Sequence, residues 1–180
     1  MPVLTGGPGS GKTTLINALQ RAGYARSWEA GRGIIQDQVA IGGRALPWCD
    51  PIAFAELMLS WEMRSYRQAQ DQAGPVFFDR GLPDIVGYLR MLDLSVPLNL
   101  VKAIKLCRYN KRVFIAPPSP EIFEQDQERK QTLDEAERTY NAMVATYTEY
   151  GYQLVELPRK PVEERVRFIV ESIGRQVVST

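Results

Sequence analysis

The chain has 180 residues, in which 22 lysines and arginines nearly balance 21 aspartates and glutamates. This balance gives no support to a partner that is recognised by bulk charge, such as duplex DNA or an anionic membrane. The length and the ordinary composition predict one domain over residues 1–180, with a core that needs no disulfide or structural metal. The sequence has no histidine, so carboxylates must carry any general acid or base chemistry.

The two cysteines, Cys49 and Cys107, are far apart and lack CxxC or Cys/His spacing. A disulfide framework and a zinc site are therefore not expected. No apolar run approaches the roughly 18 residues that a membrane span requires. The first motif begins at residue 6, which leaves no room for a signal peptide. We expect a cytoplasmic protein in a reducing compartment, with no membrane partner.

Apolar periodicity and turn residues predict five strands that alternate with helices. In chain order, the predicted strands are residues 3–5, 24–29, 76–78, 113–116 and 153–157. The predicted helices are residues 12–21, a short helix through 34–39, and then 52–73, 84–92, 98–107, 133–150 and 162–177. This alternation predicts the α/β class, with a parallel sheet covered by helices on both faces and ligands at the carboxyl ends of its strands.

The first predicted strand leads into Gly6, Gly7, Pro8, Gly9, Ser10, Gly11, Lys12, Thr13 and Thr14. This stretch matches G-x-x-x-x-G-K-[ST] and opens the next helix, which is the pattern of a P-loop. Backbone N–H groups that converge on a polyphosphate need conformations that glycine adopts at low cost, and a helix N-terminus favours the same anion. The motif predicts binding of ATP, with Lys12 at the β- and γ-phosphates and the Thr13 hydroxyl on a bridging Mg²⁺ ion.

Asp79 ends a continuous apolar run that is predicted to be a central strand, and Arg80 follows it. An aspartate at this place orders the magnesium ion in many P-loop proteins. ATPases that drive motion commonly place a glutamate next to activate water, whereas an arginine suits a bound phosphate or acceptor. This pair favours transfer to an acceptor over hydrolysis. The alternative is that Asp79 caps the next turn and forms a surface ion pair with Arg80.

Two further charged segments each allow two interpretations. Glu29 stands at the end of the second predicted strand with Arg32 three residues on, and forms either an exposed ion pair or a catalytic base. After the prolines of 117–120, Asp126 and Arg129 share one helical face, which indicates either a mobile lid or a solvated charge run.

A basic cluster consists of Lys102, Lys105, Arg108, Lys111 and Arg112. Most of it has helical spacing and aromatic residues are scarce there, so a solvated helix face is favoured over a nucleic-acid patch. Asn110 and Lys111 partly match a guanine-specificity motif, but Val113 stands where its aspartate should be. The sequence gives no support to GTP specificity.

Several segments together resemble the AAA_28-type family of small P-loop ATPases, which is itself similar to nucleoside and nucleotide kinases. They are GGPGSGKTT, LPWCDPIAFA, VFFDRGLPDIVGYL, RYNKRVFIAPPSPEIFEQDQER and GYQLVELPRKPVEERVRFI, which cover nearly the whole chain. The resemblance implies a P-loop fold with sheet order 2-3-1-4-5 and a lid at about 117–132 that carries Arg129. It also implies that Glu29 is the base for the acceptor. One departure is Ser119, where the family pattern leads us to expect tryptophan.

We therefore expect a Mg²⁺-dependent phosphotransferase that moves the γ-phosphoryl group of ATP to a small hydroxyl or phosphate acceptor. The expected site consists of Lys12 and Thr13 on phosphate and metal, Asp79 on the metal, Arg80 and Arg129 on the transferred charge, and Glu29 as the base. Two alternatives are an NTP-hydrolysing switch that needs a group from a protein partner and a nucleic-acid end-processing kinase anchored by the basic cluster.

Overall fold

The structure is a computed structural model that describes residues 1–118 and 133–177, with side chains as far as Gly174. Its strands are β1 Val3–Gly6, β2 Ala25–Arg26, β3 Val76–Asp79, β4 Arg112–Ala116 and β5 Gln153–Glu156. Its helices are α1 Lys12–Arg21, α2 Ala30–Ile41, α3 Pro51–Gln70, α4 Leu82–Met91, α5 Leu98–Leu106, α6 Leu133–Glu149 and α7 Val162–Val177. Arg129 and most of the predicted lid lie outside the described residues.

The five strands form one sheet in the order β2-β3-β1-β4-β5, and every neighbouring pair is parallel. This confirms both the parallel sheet and the order 2-3-1-4-5. The central strand β1 is short, yet Val3 pairs with Phe78 on one side and Val113 on the other. A parallel strand with helices on both faces is buried throughout, which explains why β1 begins with Val-Leu and β3 with Val-Phe-Phe.

The two faces of the sheet bury separate cores because successive side chains of a strand point in opposite directions. Val3 and Phe78 pack with α3, α4, α5 and α6 on one face. Leu4 and Phe77 pack with α1 and α7 on the other face. Phe77 and Phe78 are fully buried, and each such side chain contributes about 1.5–3 kcal/mol to folding. The arrangement is the three-layer α/β/α fold that the sequence predicts.

The second strand is shorter than predicted. β2 contains two residues, after which the Ser27 N–H donates to the Phe77 carbonyl oxygen at 2.8 Å and the chain leaves the sheet. Glu29 therefore does not end the strand as we expected; it is the N-cap residue of α2. Because β2 is the edge of the sheet, only β3 holds it in place, and its length depends on that single partner.

The other elements agree with the predictions to within a few residues. α3 begins where the Asp50 carboxylate accepts the Ala53 N–H at 3.0 Å, with Pro51 as the first helical residue. α4 begins at Leu82, two residues before the prediction, because Gly81 is its N-cap and Asp84 accepts the Gly81 N–H at 2.9 Å. In the described part of the chain, no helix is both long and apolar enough to cross a membrane.

Candidate active site

The P-loop connects the carboxyl end of β1 to the start of α1, and its first two glycines are packed against neighbouring backbone. Gly6 has φ 129°, and a Cβ atom there would overlap the Ala116 carbonyl oxygen of β4. A Cβ atom on Gly7 would lie 2.5 Å from the Ala136 carbonyl oxygen of α6. These contacts require glycine at both positions, and they place α6 directly against the loop.

The Lys12 side chain lies inside the loop and is 7% exposed. Its Nζ donates to the carbonyl oxygens of Gly6 at 2.9 Å and Gly7 at 2.5 Å, and to Ser10 Oγ at 3.1 Å. Ser10 Oγ in turn donates to the Gly7 carbonyl oxygen at 2.9 Å. The ammonium group is therefore held at the centre of the loop, where a phosphate-binding lysine must be.

The pKa of Lys12 reflects this burial. Burial and repulsion from the Arg80 guanidinium lower the pKa of Lys12 to about 7. The carboxylates of Asp79 and Glu29 oppose this shift. A bound phosphate would oppose it further, since an anion favours the charged ammonium.

A cavity of about 1030 Å³ extends from the P-loop across the carboxyl ends of the strands. Its walls include residues 8–14 of the P-loop, Glu29 and Arg32 of the β2–α2 region, Phe54, Met58 and Glu62 of α3, Arg80, Asp84, Ile85 and Tyr88 after β3, and Arg138 and Thr139 of α6. Cavities of this size hold drug-sized ligands. The predicted Thr13 and Thr14 thus lie in the same cavity as Glu29 and Arg80.

Asp79 is 4% exposed, at the carboxyl end of β3. Its Oδ1 atom is buried and has no hydrogen-bond partner within the described residues. Burial and the nearby Glu29 raise the pKa of Asp79, while Arg80 and Lys12 oppose the rise. A buried carboxylate oxygen without a partner destabilises the folded state unless a ligand binds it. A cation would bind it and would also keep the carboxylate ionised.

These residues fit a magnesium ion that binds together with a nucleotide. Thr13 and Asp79 would supply a hydroxyl and a carboxylate, either directly or through water, and the phosphates and water would supply the remaining oxygens. The described residues contain no group of three histidine, cysteine or acidic side chains suited to holding a metal by themselves.

Arg80 has left-handed backbone, with φ 72°. Its Nε lies 3.3 Å from Glu29 Oε1, and its Nη1 lies 3.3 Å from Asp84 Oδ1 and donates to the Gly6 carbonyl oxygen at 3.2 Å. Burial disfavours the charge, but Asp84 and Glu29 raise the pKa of the guanidinium. The ion pairs are therefore with Glu29 and Asp84. The simple surface pair with Asp79 is not present.

Asp84 is a site residue that the sequence analysis missed. It is 6% exposed, and its Oδ1 accepts the Thr5 hydroxyl at 2.6 Å. Its Oδ2 accepts the Tyr147 hydroxyl at 2.6 Å, in addition to the Gly81 N–H. Asp84 therefore ties β1, α4 and α6 together and orients Arg80. Its spacing of four residues from Arg80 at a helix start was the signal that could have found it.

Glu29 lies in the cavity wall between two arginines. Its Oε1 faces Arg80, and its Oε2 lies 3.7 Å from Arg32 Nε. Burial opposes ionisation, but Arg80, Arg32 and Lys12 together lower the pKa of Glu29. Glu29 is thus an ionised carboxylate at the edge of the cavity.

Glu62 is the second site residue that the sequence analysis missed. It lies in α3, is 2% exposed, and lines the cavity. Its Oε2 has no hydrogen-bond partner in the described part of the chain. Burial raises its pKa well above the ordinary glutamate value, and the carboxylates of Asp84, Asp79 and Glu29 raise it further. The available signal in the sequence was an acid directly between the apolar residues Trp61 and Met63.

Several solved structures share this fold, and no curated protein matches the chain in sequence. Deoxyadenosine kinase from M. mycoides with the products dcmp and a flexible dcdp bound has a TM-score of 0.66 at 13% identity, over 97% of this chain and 100% of that one. The same kinase with bound dATP has a TM-score of 0.58 at 14% identity, over 96% and 97%. NadR protein in complex with NR has a TM-score of 0.67 at 16% identity, over 96% of this chain and 50% of that one.

At these identities the likeness shows a shared fold, so the chain has a nucleoside-kinase-like P-loop fold. The family model described as an AAA domain, AAA_28, matches residues 2–165. That span includes every site residue described above. The protein therefore belongs to the AAA_28 family of AAA-domain proteins.

Proposed function

We propose that the protein is a Mg²⁺-dependent phosphotransferase that moves the γ-phosphoryl group of ATP to a hydroxyl group of a small acceptor. The observation that carries the proposal is that Glu29, an ionised carboxylate, lies in the same cavity as the P-loop, with Arg80 paired to it. The cavity that Glu29 shares with the P-loop has a volume of about 1030 Å³, which is large enough for a small acceptor beside a triphosphate. The fold shared with structures that hold dATP and dcmp supports the proposal.

The P-loop binds the triphosphate, and Lys12 stabilises the negative charge on the β- and γ-phosphates. Thr13 and Asp79 would hold a magnesium ion, which would supply positive charge to neutralise the phosphates. The acceptor oxygen forms a bond to the γ-phosphorus, the bond from that phosphorus to the bridging oxygen of ADP breaks, and the hydroxyl proton passes to Glu29. Arg80 orients the Glu29 carboxylate for this transfer.

The charges of the cavity favour a hydroxyl acceptor over a phosphate acceptor. Glu29, Glu62 and Asp84 all line the cavity. The guanidinium of Arg80 is already paired with two of these acids. An acceptor phosphate would meet these three carboxylates, which costs binding energy. Arg32 and Arg138 also line the cavity, so the preference depends on the acceptor lying next to the carboxylates.

The test is transfer of label from γ-labelled ATP to a panel of nucleosides, nucleoside monophosphates, sugars and vitamins. We expect a labelled product from a compound that offers a hydroxyl group. Glu29→Gln should lower that transfer rate by about 10²–10⁴-fold with ATP affinity nearly unchanged, since it removes the base and keeps the shape. The matched control is Glu56→Gln on the exposed face of α3.

Three results would contradict the proposal. One is phosphate release from ATP that no member of the panel alters, which would indicate a hydrolytic switch. Another is transfer only to monophosphates. The third is an unchanged transfer rate in Glu29→Gln.

A further inference from the structure

We propose that Glu62 determines which acceptor is used, by holding a flat, uncharged ring of the acceptor through a neutral carboxylic acid. This inference rests on the proposed function and adds the chemical class of the acceptor. The ring would carry an N–H group next to a ring nitrogen or a carbonyl oxygen, as nucleobases do. An acceptor without such a ring, such as a free sugar, would lack this contact.

The first support is the position of the Glu62 side chain. It lies in α3, in the cavity wall, and it is almost fully removed from solvent. The Tyr109 hydroxyl accepts the Leu82 N–H at 3.3 Å, so its own proton is available to donate to the Glu62 carboxyl, with which it forms a hydrogen bond. One carboxyl oxygen of Glu62 is then engaged, while Oε2 has no partner within the described residues.

The second support is the charge around Glu62. None of the ion pairs formed by the described residues includes it. The nearby carboxylates of Asp84, Asp79 and Glu29 all disfavour a further negative charge on Glu62. Burial is the largest cause of the raised pKa of Glu62, and the hydrogen bond with Tyr109 opposes the rise only in part. The carboxyl group therefore keeps its proton and offers both an O–H donor and a carbonyl acceptor.

The third support is the apolar surface on the same side of the cavity. Phe54, Met58, Ile85 and Tyr88 line it, and the rings of Phe54 and Tyr88 meet edge to face with centroids 5.6 Å apart. Met58 lies one helical turn before Glu62, so both side chains lie on one face of α3. Aromatic and thioether groups favour contact with a flat ring, and a paired donor and acceptor fix its orientation.

The experiment measures transfer from ATP to adenosine, cytidine, guanosine and uridine and to ribose, with the wild-type protein and two variants. Glu62→Gln keeps the shape and a neutral donor and acceptor, so the nucleoside KM should stay within about threefold of wild type. Glu62→Met keeps the length and removes both groups, so the nucleoside KM should rise about tenfold or more. The KM for ATP should not change in either variant, and Glu56→Gln serves as the surface control.

Each alternative result has a definite meaning. A loss in Glu62→Gln as large as that in Glu62→Met would overturn the inference, because the acid would then act in its ionised form. A wild-type nucleoside KM in Glu62→Met would overturn it as well. Should Glu62→Met not fold, a preference of wild type and Glu62→Gln for nucleosides over ribose by about tenfold is still required.

The panel also separates this inference from the proposed function. If ribose and other sugars without a base accept phosphate as well as nucleosides do, the phosphotransferase assignment stands and the proposed role of Glu62 is wrong. If no hydroxyl compound accepts phosphate, the proposed function itself is wrong, and the inference falls with it.

Discussion

Lys12 is the residue on which the phosphate end of the cavity depends. Its ammonium group donates to the P-loop carbonyl oxygens and to Ser10. Lys12→Ala should weaken ATP binding by at least about tenfold and abolish turnover, because it removes the central positive charge of the site. The unfolding temperature should not fall, because a buried ammonium group is itself costly.

Titration calorimetry with ATP and thermal unfolding check this prediction for Lys12. Lys105→Ala, on the exposed face of α5, is the matched control. An unchanged ATP affinity in Lys12→Ala would show that the loop does not bind the triphosphate as proposed.

Asp79 is the residue through which magnesium dependence can be tested. Asp79→Asn removes the charge of a buried oxygen that lacks a partner in the described residues. We expect nucleotide binding to persist, while most activity and its dependence on magnesium concentration are lost. Activity titrated with magnesium, with Asp71→Asn as an exposed control, checks this. Normal turnover of Asp79→Asn at low magnesium would show that Asp79 only caps the next turn and does not bind the metal.

The two missed residues show what a sequence does and does not reveal about a site. The P-loop is found because its chemistry depends on adjacent residues. The partners of Asp84 lie elsewhere in the chain: Thr5 is 79 residues away and Tyr147 is 63 residues away. Glu62 is surrounded by apolar residues in the sequence, and only the fold shows that it faces a cavity with other acids.

Among the elements, α4 and α6 are joined at the surface by an ion pair. Arg90 donates to Glu149 through Nη1 at 2.6 Å and Nη2 at 2.9 Å. These hydrogen bonds lower the pKa of Glu149. Both side chains are substantially exposed, so the pair should contribute no more than about 1 kcal/mol.

Glu149→Gln should therefore lower the free energy of unfolding by about 0.5 kcal/mol near neutral pH. Because the folded pKa is lowered, the contribution of Glu149 is present above its ordinary value of 4.5 and is lost as pH falls through the folded pKa. Urea unfolding of wild type and variant at several pH values measures this. Glu137→Gln on the same helix is the control. A difference that persists at the acidic end would mean that charge is not the cause.

The proposed lid is the element whose test best separates a kinase from a switch. If residues 117–132 close over ATP and acceptor, Arg129 contacts the γ-phosphoryl group only in the closed state. Arg129→Ala should then lower the transfer rate by about a hundredfold or more, with little change in ATP affinity. Arg129→Lys should rescue poorly, since an ammonium cannot span two phosphoryl oxygens.

Single-turnover transfer and equilibrium ATP binding together test this prediction for Arg129. Arg167→Ala, on the exposed face of α7, is the comparison. Full transfer rates in Arg129→Ala, or equal losses in binding and rate, would mean that the segment is a solvated helix.

For the molecule as a whole, most of the fold could be predicted because its signals are local. Continuous apolar runs mark β3 and β4, and Asp50 with Pro51 marks the start of α3. The order of the strands came from the family resemblance, since periodicity does not determine which strands are neighbours. The predicted length of β2 was wrong. Residues 24–29 suit a strand, but the chain leaves β3 after Arg26 pairs with Phe77, two residues before β3 ends.

The contact between the P-loop and α6 has a consequence for the dynamics of the molecule. The Gly7 backbone lies against Ala136. The first turns of α6 therefore cannot unfold without losing their contact with the P-loop. ATP should therefore slow amide hydrogen exchange in those turns, by up to about a hundredfold at a concentration of 100 Kd. The last turn, near Glu149, should exchange at the same rate with and without ATP. In exchange kinetics, one end of a single helix would report nucleotide occupancy, and the other end would act as its internal reference.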